Sequence, residues 1–487
     1  MRPIDENTVP EWDADADVVI AGYGVAGAAA AVAAAQEGAE VLVLERAGGW
    51  GGAAALSGGF IYLGGGTALQ QACGYEDTPA NMAAFLTAAL GPGGDPHKIG
   101  LYSEGSPEHY DWLTGTCAVA FRPAFFGEPA WEAYGDEGLM YSGGENAHPF
   151  PEIADPAPRG HLPCEGPLTG APNGEQGRGR LLMEPLVRTA SRLGVTARYD
   201  TRVDGLVVAA DGRVCGVRAR SFGRTLHVRA RRGVVLTTGS FTYDAAMVGA
   251  HTPRLSGRPG AAVEEHDGIS IRLGQALGAQ VSHLDACEVA VGVDPQHLVR
   301  GIVVNAHGQR FINEDTYAGR IGQAALLNQG NGCWLVLDET GFEEADAATR
   351  AAEQLRTAPT VVAETPTELA AAMGLPEGAL ESTLDLYNRH AEQGRDPVHH
   401  KAAAWLRPLK GPLGAVDLGP RTAGFALGGL TTDTEGRVLH VDGAPVPGLY
   451  AAGRATTGIA TGGYASGASL GDGTFFGRRA GHEAAQA

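Results

Sequence analysis

The chain has no excess of positive charge, no paired-cysteine motif and no uninterrupted apolar stretch of membrane length. Its 36 Lys and Arg stand against 56 Asp and Glu, a formal net charge of −20. That balance argues against nucleic acid and anionic lipid as partners, because both need basic patches. The six cysteines, Cys73, Cys117, Cys164, Cys215, Cys287 and Cys333, form no Cys-x-x-Cys, so a zinc or iron–sulfur site has no signature. Free, mostly buried thiols in a reducing compartment are expected. Residues 1–17 are acidic and hold Pro3 and Pro10, without the basic start and apolar core of a signal peptide. Val18 to Ala35 is apolar, but its three glycines sit at turn spacing, so it reads as strand–turn–helix and not as a membrane span. The expectation is a cytoplasmic protein with no integral membrane segment.

What is abundant is glycine. Its 73 residues are about twice the usual share, with no collagen-like period. Such numbers point to backbone packed against a large ligand, or to many tight turns. A chain of 487 residues also exceeds one small core, so two or three domains are expected.

The local pattern begins with a short buried strand, Asp17 to Ala21. The turn Gly22-Tyr23-Gly24-Val25-Ala26-Gly27 follows, then an alanine-rich helix to Gln36 with Gly38 as its stop, then a second strand from Glu40 to Glu45. This β-α-β unit implies a parallel sheet. Gly-x-Gly-x-x-Gly is weak alone, but here a strand precedes it and a helix follows. The first glycine permits the tight turn, the second lets backbone approach a pyrophosphate, and the third allows close helix–strand packing. The helix N-terminus offers amides and a positive dipole end to phosphates. Glu45, followed by Arg46, stands where a carboxylate binds ribose hydroxyls, which disfavours a 2′-phosphate and hence NADP.

Regular β-α units do not continue. Gly48 to Gly66 is dense in glycine, and Gly91 to Gly177 reads as irregular lobes and short helices covering the ligand. Leu181 to Leu193 looks like an amphipathic helix. Val195 to Val208 and Arg213 to Arg220 look like a small meander, and Gly233 to Ser240 like a buried strand with a tight turn. Near Cys287 a second unit begins, with strands from Gly301 and Trp334 and helices around Glu339–Arg356, Pro366–Met373 and Leu375–Gly394. From Gly424 the text is again glycine-rich, ending in a final helix. The expected fold class is therefore α/β. A Rossmann-like dinucleotide-binding domain (1–286 and 424–487) is interrupted by an inserted α+β catalytic, or capping, domain (287–423).

That layout resembles the FAD-dependent fumarate reductase and 3-ketosteroid dehydrogenase superfamily, nearest to the 3-ketosteroid Δ4-(5α)-dehydrogenases of actinobacteria. The segments carrying the resemblance are Gly48-Gly49-Trp50-Gly51-Gly52-Ala53, Gly58 to Gly66, Met140 to Asn146, Arg310 to Tyr317, and Gly462-Gly463-Tyr464-Ala465-Ser466-Gly467 with Ser469 to Gly473. They run nearly end to end, and the last is the most specific. The resemblance implies FAD as cofactor. It implies that Gly51, Gly52, Ala53, Ala54, Gly58 and Gly59 line the pyrophosphate and flavin edge. It places Val203 at the adenine, and Thr238 and Gly239 over the ribityl chain. Ser469 and Leu470 open the last helix toward the flavin pyrimidine. Many members carry a ribityl-binding carboxylate after Ala-Ala-Gly, whereas here Arg454 follows Gly453.

The resemblance also implies an apolar cyclic ketone, a steroid, as substrate. Desaturation beside a ketone needs an acceptor for the alpha proton, a hydride acceptor and a donor to the ketone oxygen. By the resemblance Tyr464 takes the carbon-4 proton assisted by Ser466, and Tyr317 completes the pair by hydrogen bonding to Tyr464 or to the ketone, with the carbon-5 hydride passing to flavin N5 to give the 4-ene-3-one. A tyrosine with pKa near 10 is a poor base, so its pKa is lowered or the proton is relayed onward. In fumarate reductases the position of Tyr464 is, by resemblance, an arginine that clamps a dicarboxylate, which a tyrosine cannot do. The Δ1-dehydrogenases, and a flavin ene-reductase or dehydrogenase of another cyclic ketone, are the alternative readings. A flavin-bearing electron carrier without its own substrate is a third, disfavoured by the hydroxyl cluster. The electron acceptor is left open. Glu264-Glu265-His266-Asp267 reads as a helix-entry loop near the cofactor and His399-His400 as an exposed loop, so no metal is expected.

Overall fold

The computed structural model describes residues 2–131, 133, 135–164, 178–330, 332–349 and 357–487. Strands Ala14–Ala21 and Val41–Leu44 pair in parallel across the helix Val25–Gln36, the expected β-α-β unit. Val18, Val19, Ile20 and Ala21 are all buried. A parallel strand covered on both faces reads as such an unbroken apolar run. Thr196–Arg198 extends the sheet beyond Val41–Leu44, in parallel.

The strand Arg224–Leu236 joins two regions. Its first half carries the antiparallel meander of Thr201–Val208 and Val214–Ser221. Its second half pairs in parallel with Ala14–Ala21 on one side and Pro445–Ala451 on the other. The C-terminal return therefore lies two strands from the first glycine turn.

Glycine has a use beyond ligand approach and turns. The final helix, Ala468–Gln486, packs on Val25–Gln36 through Gly473, Gly477 and Gly481, one residue per turn of a single face. A Cβ on Gly477 would meet the Ala26 carbonyl oxygen at 2.5 Å, and one on Gly481 would collide with the Ala30 backbone. Paired with an alanine helix buried over nearly its whole circumference, these glycines let two backbones approach closely.

The chain leaves this sheet through the strand Cys287–Val291 and returns through Thr422–Ala426, and the two strands pair antiparallel. Between them lies a four-stranded sheet in the order Ile302–Val304, Trp334–Asp338, Leu413–Asp417, Val361–Ala363. Strand alternation serves two cores here. Val303, Leu335 and Val416 pack with Leu298 and Ile321 on one face. Ile302, Val304, Val336 and Ala415 pack with Leu369, Leu380 and Leu384 on the other.

Two expectations need correction. The stretch after Gly91 is not only irregular: it holds the 16-residue helix Pro96–Asp111, despite Gly100, Gly105 and Pro107. Gly105 is there for packing, since a Cβ would sit 2.7 Å from the Phe475 ring, so tertiary fit outweighs helix propensity. The helix expected from Leu375 starts at Ala379, behind Gly378 at φ 76°. Of the helix expected over Glu339–Arg356, Glu339–Ala348 is observed, and residues 350–356 lie outside the described residues. So do residues 165–177 of the expected lobes. Among the described residues, no helix is long and apolar enough to cross a membrane.

Candidate active site

A cavity of about 570 Å³ runs along the carboxyl ends of Ala14–Ala21 and Arg224–Leu236 toward the start of the final helix. Two helix N-termini lacking any side-chain cap face it. One is Val25–Gln36 behind Gly24, the other Ala468–Gln486 behind Gly467 at φ 94°. Uncapped first-turn amides attract negative charge.

Gly22, Gly24, Val25 and Ala26 line the phosphate end. Gly27 does not, because it faces inward. A Cβ there would collide with the Gly22 carbonyl oxygen and lie 2.8 Å from Thr237 Oγ1. Glu45 and Arg46 line the cavity, and Glu45 is organised by backbone, accepting the Tyr23 amide at 2.6 Å and the Ala47 amide at 2.8 Å. Burial pushes its carboxyl up, against those amides, which hold it down. Gly52, Ala53 and Ala54 on the helix Gly52–Leu56 line it, as do Gly58 and Gly59. Gly51 does not. Its amide bonds to the Tyr23 carbonyl at 2.9 Å and its φ of 119° turns the chain into that helix. Val203, Thr238, Gly239 and Gly453 complete the wall, with Ser469 and Leu470 at the far end. The sequence reading overlooked Phe60 and Arg202, which also line the cavity, and placed His266 only in a nearby loop. His266 packs on Gly239 so closely that a Cβ there would enter its ring, and burial pulls its pKa down to about 4.

These residues fit FAD. The volume lies within the range of cofactor clefts, with two amide termini, the Glu45 carboxylate and glycine approaches at both ends. Arg454, which departs from the superfamily pattern, pairs with Asp472 at 3.0 Å, both nearly buried. Asp472 also accepts the Ile459 amide at 3.2 Å. Arg454 thus ties the return strand to the last helix. Asp472→Ala leaves a buried guanidinium uncompensated and is expected to cost about 3–5 kcal/mol, read from urea unfolding. An unchanged midpoint would remove the pair from the fold's support.

Tyr464, Tyr317 and Ser466 come together at the same cavity. Ser466 is held by Ser142, whose Oγ donates to the Ser466 carbonyl at 2.9 Å and whose carbonyl accepts the Ser466 amide at 3.1 Å. The Tyr464 oxygen accepts the Ser469 amide at 3.1 Å, and its ring meets Phe425 edge-on at 5.5 Å. Burial raises the Tyr464 pKa, the Ser469 hydroxyl and amide drawing it partly back. Tyr317 is raised well above the usual phenol value, by burial first and then by Glu288, with a hydrogen bond to Ser466 opposing. In neither phenol is the pKa lowered toward that of a free base. Glu288, on Cys287–Val291, lines the cavity and was overlooked. A carboxylate inside the apolar strand Cys287-Glu288-Val289-Ala290-Val291 was the available signal.

Ser466, Tyr317 and Phe60 also line a second cavity of about 140 Å³, walled by Phe126, Trp131 and Leu298 among others. The three residues therefore sit at the junction of two spaces. Among the described residues no cluster of His, Cys, Asp and Glu forms a metal site.

Comparison with known proteins agrees with this geometry. Residues 17–470 match the family described as FAD binding domain. The crystal structure of a 3-ketosteroid-Δ4-(5α)-dehydrogenase from Rhodococcus jostii RHA1, in complex with 4-androstene-3,17-dione, is 59% identical and superposes with a TM-score of 0.96 over 100% of both chains. A 3-oxo-5-alpha-steroid 4-dehydrogenase of Comamonas testosteroni is 27% identical over 91% of this chain and 93% of its own. An NADH:fumarate oxidoreductase of Klebsiella pneumoniae (strain 342) is 28% identical over 96% of this chain, which spans about half, 48%, of that protein's length. With the family matched over nearly its whole length and the cofactor cleft built to suit, the chain belongs to the FAD-binding flavoprotein oxidoreductases, in the family of the Rhodococcus jostii enzyme.

Proposed function

We propose that the protein desaturates a 3-ketosteroid between carbons 4 and 5, giving the 4-ene-3-one. The observation that carries this is the junction: Tyr317 and Ser466 face the cofactor cavity on one side and an aromatic-walled space on the other. The 59% identical relative crystallised with a 4-ene-3-one steroid supports it. Residues 287–423 then serve as the substrate-side domain, and 1–286 with 424–487 hold FAD.

Bound FAD supplies the two-electron acceptor, receiving the hydride from carbon 5. The protein's own groups hold the ketone and move the proton. The Tyr464 oxygen already accepts an amide and stays protonated, so its free capacity is donation, which suits the ketone oxygen. That donor stabilises enolate character when carbon 4 loses its proton. Ser466, hydrogen-bonded to Tyr317, is then the group that takes the proton, with Tyr317 accepting in turn. This divides the roles differently from the sequence expectation, in which Tyr464 takes the proton itself.

Anaerobic mixing of the holoenzyme with a 5α-3-ketosteroid is expected to bleach the flavin and yield the 4-ene. A flavin that stays yellow removes the steroid reading, and a 1-ene product replaces it with Δ1 chemistry.

A further inference from the structure

Glu288 is buried in an apolar strand, and among the described residues no Lys, Arg or His acts on its carboxyl. Its Oε1 accepts the Tyr317 hydroxyl at 3.3 Å. Its strand lies between Thr422–Ala426, which carries no titratable side chain, and the helix Ala318–Gln323, whose Arg320 turns instead to the His148 carbonyl at 2.9 Å. The titratable groups facing it are Tyr317 and Tyr464. On its own strand Cys287 is adjacent, with Asp285 just before it. An unpaired buried carboxylate is costly, and nothing in the packing of this strand requires one.

We propose that Glu288 is the terminal proton acceptor of the site, receiving through Tyr317 and Ser466 the proton removed from steroid carbon 4. The proposal rests on the steroid reading above. Ser466 takes the carbon-4 proton as its own passes to Tyr317, and the Tyr317 proton passes to Glu288. Serine and tyrosine end as they began, and the carboxylate becomes a carboxylic acid. The electron pair of the broken bond stays on the steroid and becomes the carbon 4–carbon 5 double bond. The steroid is oxidised by the two electrons that leave as the carbon-5 hydride, for which bound FAD would supply the acceptor. Since Glu288 acts through Tyr317, it is a positioning and relay residue.

Burial pushes the Glu288 carboxyl up to about 8, and the Tyr317 hydrogen bond draws it down. An acceptor must be ionised, so the rate of flavin reduction rises with pH through about 8. A folded-state pKa above the unfolded value means the folded state keeps a proton the unfolded chain releases. Stability then falls as pH rises from the ordinary carboxylate value of 4.5 to about 8, and the full cost is present above that.

The test is stopped-flow reduction of the holoenzyme by a 5α-3-ketosteroid across that pH range, with E288Q and E288D beside wild type, and thermal melts of each. Gln keeps an acceptor for the Tyr317 hydroxyl but cannot take a proton. E288Q is expected to retain FAD, lose the rising limb and slow about 100-fold at the alkaline end. E288D is expected to recover part of the rate and the limb. The melting temperature of E288Q is expected to gain on wild type as pH rises across the window. An E288Q enzyme with wild-type rate and limb overturns the relay. If wild-type flavin is not reduced by any 3-ketosteroid, the steroid reading falls first. The melts then still decide Glu288: a widening gap keeps a titrating carboxyl there, and a constant gap overturns it.

Discussion

Tyr464→Phe is expected to keep its FAD and to lose about 100–1000-fold in the rate at which a 5α-3-ketosteroid reduces it. The substitution removes one oxygen. The ring stays, with its edge-on contact to Phe425 at 5.5 Å, so the pocket keeps its shape. On the proposed mechanism, what is lost is a donor to the ketone oxygen, where charge develops as carbon 4 gives up its proton. Such donors act on the transition state more than on bound substrate, so steroid affinity is expected to change little while the reduction rate falls. The Ser469 amide loses its partner at 3.1 Å, in the uncapped first turn of the helix Ala468–Gln486. Ser466→Ala belongs beside it. Both variants lose rate, but only Ser466→Ala breaks the connection to Tyr317, so only it is expected to alter the pH profile as well. Near-normal reduction by Tyr464→Phe would take this tyrosine out of the chemistry.

Gly27→Ala is expected to abolish FAD retention and to lower the melting temperature of the apoprotein, whereas Gly24→Ala is expected to weaken FAD alone. The two glycines share a turn and differ in what surrounds them. A Cβ on Gly27 would collide with the Gly22 carbonyl oxygen and crowd Thr237 Oγ1 at 2.8 Å. The helix can relieve that only by moving off the sheet, and overpacking of this kind costs about 1–3 kcal/mol or more. A Cβ on Gly24 meets nothing nearer than the Gly51 carbonyl oxygen at 3.9 Å, and φ there is −81°, open to any residue. Its methyl group would stand in the path of the pyrophosphate. Flavin content after purification and apoprotein melts separate the two. Equal effects of both substitutions would show that Gly27 has no packing role distinct from ligand approach.

Much of the cofactor end was legible in the sequence, because its determinants are local. Gly22, Gly24 and Gly27 sit at fixed spacing between a strand and a helix, and Glu45 follows at the end of the next strand. Backbone geometry alone ties those offsets to a phosphate and a ribose. The helices with weak local signals were not legible. Pro96–Asp111 contains Gly100, Gly105 and Pro107, and its stability comes from contacts such as Phe475 on Gly105, brought from a distant part of the chain. The glycines of the last helix were legible as numerous but not as a packing face, because their partner is the alanine helix at the other end of the chain.

The sequence by itself determined that the chain carries a dinucleotide-type glycine turn followed by Glu45, an interrupted α/β layout, and the hydroxyl residues Tyr317, Tyr464 and Ser466. Short-range offsets and residue chemistry suffice for these. Only the tertiary structure decided how the hydroxyls are wired. The Ser469 amide occupies the Tyr464 oxygen, and Tyr317 is turned to Ser466 and to Glu288. Proton affinity depends on burial and on neighbours brought from distant segments, so the choice between a tyrosine base and a relay ending on Glu288 exists only once Cys287–Val291, Tyr317 and the final turn are folded against one cavity.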